Sequence, residues 1–255
     1  MRRGIYLLPN LFTTGAMFAG FYGLLAAING QFVAAAVAVL VAGVLDGLDG
    51  RIARLTNTAS EFGVQYDSLS DLVSFGVAPA IIIYMWALQP MAALGEPWDK
   101  LGWAAAFLYA ACAALRLARF NTQAGVADKR YFQGLASPAA AGLLVTTIWA
   151  AEVTGISPMD SPSLAILIWA ETVVIALLMV SNVRYLSFKN WSGGYRMRFV
   201  QMLAVILVFV LLSIDPPRVL FAIALAYVCS GPVVTMIGLA RHRARHQQTE
   251  PAQEP

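Results

Sequence analysis

Charge is scarce in this chain. Only 12% of its 255 residues are Asp, Glu, Lys or Arg, about half the share of an ordinary soluble domain. With 59% hydrophobic residues and a mean hydropathy of +0.69, that scarcity excludes a water-soluble globular protein. Cysteine is rarer still. Cys112 and Cys229 both lie in apolar segments, which excludes a disulfide framework or a thiolate metal centre and reads as two small buried hydrophobes. The two histidines, His242 and His246, fall in a polar tail without a carboxylate or thiol partner, so a histidine-based metal site is excluded as well. There is no internal repeat, and no polar stretch is long enough for a soluble domain. Arg2-Arg3 before an apolar run fits the start of a signal peptide, but the run is long and lacks a small-x-small cleavage site.

What is abundant is apolar runs of spanning length, about 20 residues each. They read as eight helices, at 9–29, 33–54, 64–88, 101–121, 135–152, 163–181, 198–214 and 219–240. Breakers separate them: Asn29-Gly30, Gln89-Pro90, Gly125, Ser157-Pro158, Gly193-Gly194 and Pro216-Pro217. The expected fold is therefore an all-α integral membrane bundle of about eight transmembrane helices. Residues 1–240 form one transmembrane domain, and 241–255 a polar, disordered tail. An N-terminus in the cytoplasm leaves every Lys and Arg on that side except Lys100 and Arg218. This is the asymmetry expected of a correct topology, with both termini cytoplasmic.

Four aspartates break this apolar background. Asp46-Gly-Leu-Asp49-Gly50-Arg-Ile-Ala53-Arg54 is followed after eight residues by Gly63-Val-Gln-Tyr-Asp67-Ser-Leu-Ser-Asp71. Carboxylates are costly beside lipid, so such a cluster points to function. On a helix at 100° per residue, Asp46, Asp49, Gly50 and Ala53 share an arc of about 100°, with Arg54 beside it. Gly63, Asp67 and Asp71 share a face of the next helix. A short turn makes the two helices antiparallel neighbours, so their acidic faces converge. Snorkelling acids paired with Arg51 and Arg54 would explain one aspartate, not four in register. An all-oxygen cluster suits Mg²⁺ or Mn²⁺ shared with substrate phosphates. Gly50 and Ala53 leave room for a ligand against the helix backbone, and Arg54 offers a planar fork for phosphate. The chemistry implied is metal-dependent phosphoryl transfer at the cytoplasmic interface.

The spacing D-x2-D-G-x2-A-R-x8-G-x3-D-x3-D matches without departure the signature of the CDP-alcohol phosphotransferase family, membrane enzymes that move a phosphatidyl or related group from a CDP-linked donor to an alcohol. Further segments resemble the bacterial membrane-embedded phosphatidylserine synthases: Arg3-Gly-Ile-Tyr-Leu-Leu-Pro-Asn-Leu-Phe-Thr, Ala118-Arg-Phe-Asn121, Tyr131-Phe-Gln-Gly-Leu-Ala-Ser-Pro-Ala-Ala-Ala141 and Met179-Val-Ser-Asn-Val-Arg-Tyr-Leu-Ser-Phe-Lys189. Ala136 departs from those relatives, which more often carry Pro there. The resemblance implies that Asp46, Asp49, Asp67 and Asp71 hold two Mg²⁺ or Mn²⁺ ions, with Asp71 also the general base. It implies that Asn10, Thr13, Gly50, Ala53, Arg54 and Ser60 contact the CDP-lipid. It further implies CDP-diacylglycerol and L-serine as substrates, phosphatidylserine and CMP as products, a homodimer, and a place in the bacterial inner membrane.

The motif does not select the acceptor alcohol. Arg116, Arg119, Asn121, Lys129, Arg130, Gln133 and Ser137 gather where the fourth span joins the fifth. A serine carboxylate wants a cationic partner, and Arg119 with Asn121 is the favoured pair. Positive-inside anchoring and helix capping would explain the same residues. Arg184, Lys189, Arg196 and Arg198 interleave with Tyr185, Phe188, Trp191, Tyr195 and Phe199 as a basic-aromatic headgroup belt. Because that segment joins two spans, it is not a nucleic-acid surface. Tyr84, Trp86, Trp98 and Trp103 read as the belt of the opposite interface. Phosphatidylglycerophosphate synthase is the alternative enzyme, although its dianionic acceptor calls for a denser basic pocket. A divalent-cation transporter is the alternative of another class, but it needs acids along a path across the bilayer, and these cluster near one face.

Overall fold

The computed structural model describes residues 7–56, 60–123, 131–186 and 199–249. Helical segments stand at each of the eight expected places. They are α1 (Leu7–Ile28), α2 (Phe32–Thr56), a third segment from Glu61 to Leu94, α5 (Trp98–Gln123), α6 (Ser137–Thr154), α7 (Pro162–Val180), α8 (Phe199–Ile214) and α9 (Pro216–Thr249). Six of them are long and apolar enough to cross a membrane; α6 and α8 are not among those six. Two three-residue strands, β1 (Tyr131–Gln133) and β2 (Arg184–Leu186), pair antiparallel with Phe132 opposite Tyr185. Lys129 and Arg130 lie outside the described residues, as do Lys189, Arg196 and Arg198.

The punctuation follows backbone chemistry. After α1 the chain turns at Gly30 (φ +72°), and the Gln31 amide donates to the Ala26 carbonyl at 2.8 Å, a left-handed cap that closes the helix end. Proline opens α7 and α9 and sits in the first turn of α6, where its missing N–H costs no helical bond. Gly134 (φ +80°) runs so close to α7 that an added Cβ would clash with the Met179 carbonyl oxygen.

Packing is that of a membrane bundle. The buried residues of α1 and α2 are largely alanines, Ala16, Ala19, Ala26, Ala27, Ala35, Ala36 and Ala42 among them, while Phe18, Leu25, Val41 and Val44 are exposed. Small residues inside let backbones approach, and large apolar ones face outward. At Gly20 a Cβ would lie 2.7 Å from the Ser74 backbone, so glycine sets how closely α1 crosses the third segment. Two serines fasten the same crossing: Ser70 Oγ donates to the Thr13 carbonyl at 3.0 Å and Ser74 Oγ to that of Ala16 at 3.1 Å.

The third segment is not one regular helix. It runs as α3 (Glu61–Asp71), a π-helical stretch (Leu72–Val77), α4 (Ala78–Ile83), a second π-helical stretch (Tyr84–Leu88) and a 3₁₀ turn (Pro90–Leu94). The first π stretch begins directly after Asp71. The Tyr109 hydroxyl, fully buried on α5, donates to the Phe75 carbonyl within it at 3.0 Å. Such stretches often mark functional positions.

Four expectations change. Cys112 is buried as read, but Cys229 is exposed on α9, since lipid receives an apolar thiol as readily as a core does. Trp86 is buried and donates to Glu152 Oε1 at 2.6 Å instead of joining an interfacial belt, whereas Trp103 is exposed. Tyr185 is likewise fully buried, its ring tilted by 35° against that of Tyr227 at 5.6 Å and its hydroxyl donating to the Val228 carbonyl at 3.2 Å. The helix α9 continues to Thr249, so helix extends nine residues into the segment read as tail (241–249).

Candidate active site

Alternating helix directions bring one end of each element to the same end of the bundle: the start of α1, the end of α2, the start of α3, the end of α5 and the start of α6. The aspartates occupy the middle of this gathering. Asp46 and Asp49 come from α2 and Asp67 from α3, and one carboxylate oxygen of each lies within 4.8 Å of the other two. Asp71 is one turn further along α3, outside this compact trio, with its carboxyl in hydrogen-bond contact with Asp46. Four acids this close require positive charge or protons among them.

Two observations fit a divalent cation here. The donor set is all oxygen, which suits a hard ion. In addition, Asp67 Oδ1 is buried without a hydrogen-bond donor among the described residues, although a buried carboxylate oxygen normally has a partner.

The surrounding residues have separate tasks. Thr13 is buried and donates its hydroxyl to Asp49 Oδ2 at 2.7 Å; the structure therefore gives this side chain a partner in the acidic cluster. Ser60 is the N-cap of α3, accepting from the Gly63 amide at 3.0 Å. A Cβ on Gly63 would stand 3.2 Å from that serine oxygen and 3.6 Å from Asn10 Oδ1. Glycine thus keeps the α3 cap close against the start of α1. Arg54 is exposed and folds back along its helix, its Nη1 3.6 Å from where a Cβ on Gly50 would be. Gly50 and the half-buried Ala53 leave that face of α2 shallow.

The residues proposed for the acceptor divide in two. Arg119 donates to Gln133 Oε1 at 2.7 Å, to Asn182 Oδ1 at 3.0 Å and to the Val180 carbonyl at 3.4 Å. It straps α5 to β1 and to the end of α7. Asn121 turns the other way and donates to Ser68 Oγ at 3.0 Å. Arg119 and Asn121, the residues favoured for the acceptor carboxylate, thus turn to different protein partners. Each side chain meets the partner nearest its own face of α5. Arg116 differs from both: its Nη1 donates to the fully buried Ser137 at 2.8 Å, its Nε is buried without a partner among the described residues, and its charge faces Asp71, Tyr227 and Tyr109.

Sequence reasoning missed Ser68, Ser70, Ser74 and Tyr66, whose hydroxyl lies 2.8 Å from Thr14 Oγ1. A signal for two of them was present. Ser70 and Ser74 are four residues apart, the spacing of one helical face. Asn182 carried no comparable signal, because its contact with Arg119 spans 63 positions.

The sequence is similar to those of known proteins. Residues 6–170 match the CDP-alcohol phosphatidyltransferase family. A CDP-diacylglycerol--serine O-phosphatidyltransferase of Helicobacter pylori is 37% identical over 206 residues, covering 81% of this chain and 83% of that protein. One of Mycobacterium leprae is 31% identical over 234 residues, covering 89% and 74%. An archaetidylserine synthase of Methanothermobacter thermautotrophicus is 33% identical over 180 residues, covering 70% and 69%. With the motif intact, its four aspartates gathered at one end of the bundle and the match running over most of its length, this chain belongs to the CDP-alcohol phosphatidyltransferase family.

Proposed function

We propose that this protein transfers the phosphatidyl group of CDP-diacylglycerol to the hydroxyl of L-serine, giving phosphatidylserine and CMP. The observation that carries the reading is the convergence of Asp46, Asp49, Asp67 and Asp71 at one end of the bundle, in a chain whose relatives bear serine-transferase names. Asp46, Asp49 and Asp67, completed by Asp71, would hold two Mg²⁺ or Mn²⁺ ions. Bound there, such ions supply charge neutralisation for the donor pyrophosphate.

The chain's own residues do the rest. Thr13 orients Asp49. Gly50 and Ala53 let the nucleotide approach α2, Arg54 offers a guanidinium to its phosphates, and Asn10 and Ser60 lie at the rim where α1 meets α3. Asp71 accepts the serine hydroxyl proton. The serine oxygen bonds to the lipid-side phosphorus as the bond from that phosphorus to the CMP oxygen breaks. CMP departs with the electron pair, and Asp71 returns its proton to solvent. The acceptor side is built from Arg116, Arg119, Asn121, Lys129, Arg130, Gln133 and Ser137, with Arg119 and Asn121 holding its frame through Gln133 and Ser68.

Eight spans in the bacterial inner membrane, both termini and the active site cytoplasmic, and a homodimer complete the proposal. The charge asymmetry of the sequence supports this orientation. The test is CMP release by purified protein with CDP-diacylglycerol and Mg²⁺ or Mn²⁺, offered serine, glycerol 3-phosphate or inositol separately. Release with serine is expected. Release with another acceptor but not serine would move the assignment to that alcohol, and no release with any would return the transporter reading.

A further inference from the structure

We infer that Arg116 is the residue that selects the acceptor by its carboxylate, gripping it with the Nε edge of the guanidinium. The inference rests on the serine reading above and deepens it.

The register of α5 against the third segment places Arg116 beside the reacting end of the site. Asn121 meets Ser68 at one level. Ala113 meets Gly76 at another, its Cβ 3.2 Å from where a glycine Cβ would be. The two helices run antiparallel, so the position between these contacts, Arg116, is level with the turn that carries Asp71. The charge interaction between Arg116 and Asp71 agrees.

Of the arginines near this end, Arg119 is committed to Gln133, Asn182 and the Val180 carbonyl, and Arg54 is exposed over Gly50. Arg116 alone among the three has a buried, unpartnered donor. Ser137 holds it by Nη1, which fixes the guanidinium plane and leaves the Nε edge to the ligand. That edge presents parallel N–H groups at the spacing of a carboxylate's two oxygens. An amino acid held there has its hydroxyl carbon two bonds from the carboxylate carbon, short enough to bring the hydroxyl towards Asp71. An acceptor without a carboxylate leaves the guanidinium buried and unpaired, which is how a polar site rejects an analogue.

The experiment compares L-serine with ethanolamine, which keeps the hydroxyl and ammonium but lacks the carboxylate, in wild type, Arg116→Gln and Arg116→Lys. In Arg116→Gln the serine KM should rise about 10- to 100-fold, the loss expected for a charge-assisted contact. Ethanolamine use should hold or rise, since the unpaired guanidinium that rejects it is gone, and the KM for CDP-diacylglycerol should stay within about threefold, so the preference for serine collapses. Arg116→Lys keeps the charge without the fork and should fall between. It also decides the matter if the glutamine variant does not fold. An unchanged serine KM in a folded variant overturns the inference, as does an equal loss for serine and ethanolamine, or a rise confined to CDP-diacylglycerol. A wild type that releases no CMP with serine refutes the serine reading itself, whereas serine turnover with unaltered selectivity in the variants refutes only the role of Arg116.

Discussion

Thr13→Val separates two roles for one buried hydroxyl. Valine keeps the branched shape, so packing between α1 and α2 is preserved. What is removed is the 2.7 Å bond to Asp49 Oδ2 and a weaker 3.2 Å contact with the Pro9 carbonyl, which also serves the helix. A hydrogen bond to a charged group is worth about 1.5–3 kcal/mol, and each 1.4 kcal/mol is about tenfold in an equilibrium constant. Asp49 is buried, at 5% exposure, and loses the donor that holds its orientation. Removing an outer partner of a metal ligand typically costs about 10- to 100-fold in affinity or activity. The Mn²⁺ concentration for half-maximal CMP release should therefore rise by about that factor, with the KM for CDP-diacylglycerol little changed once metal is saturating. Thr13→Ser retains the donor and should titrate within about threefold of wild type. A folded Thr13→Val protein with an unchanged metal midpoint would refute the reasoning. If the KM for CDP-diacylglycerol rose instead, Thr13 would be acting on the nucleotide, as the motif resemblance implies.

Three further outcomes are expected. Asp71→Asn should lower turnover by about 10²–10⁴-fold, the usual contribution of a positioned base, while Mn²⁺ binding to the protein, followed by calorimetry, persists through Asp46, Asp49 and Asp67; full turnover would remove Asp71 from the base role. Gly20→Ala puts a methyl 2.7 Å from the Ser74 backbone and should destabilise by about 1–3 kcal/mol, seen as a lowered thermal midpoint in detergent; an unshifted midpoint would mean the α1 crossing is loose. Arg119→Gln should lower that midpoint too, since it releases contacts to Gln133, Asn182 and Val180, yet leave the serine KM within about threefold; a large KM change would return Arg119 to the acceptor site.

Much of the fold was legible because lipid imposes a simple rule. Each span must be a run of apolar residues long enough to cross, and Gly30, Pro162 and Pro216 end or start helices for reasons local to the backbone. What escaped was local irregularity inside a run. No pattern in Leu72–Val77 or Tyr84–Leu88 announces a π-helix, because those residues are as apolar as their neighbours and the extra residue per turn is decided by packing against α5. Trp86 and Tyr185 were misplaced for a related reason. Aromatics near a helix end suit an interface as well as a core, and only a partner such as Glu152 or Tyr227 distinguishes the two.

The sequence by itself determined the chemistry. Aspartates at i, i+3 on α2 and at i, i+4 on α3, with a short connection, can only converge, since helical periodicity and antiparallel adjacency leave them no other place. It also placed the helical segments along the chain, although α9 runs past its expected end. Tertiary structure alone decided which polar side chains remain for a ligand. Thr13, Arg119 and Asn121 are chemically as fit to bind substrate as Arg116, but the first is committed to Asp49, the second to Asn182 and Gln133, and the third to Ser68. Those partners lie far away along the chain, and a hydrogen bond is satisfied by distance in space, which no local pattern encodes.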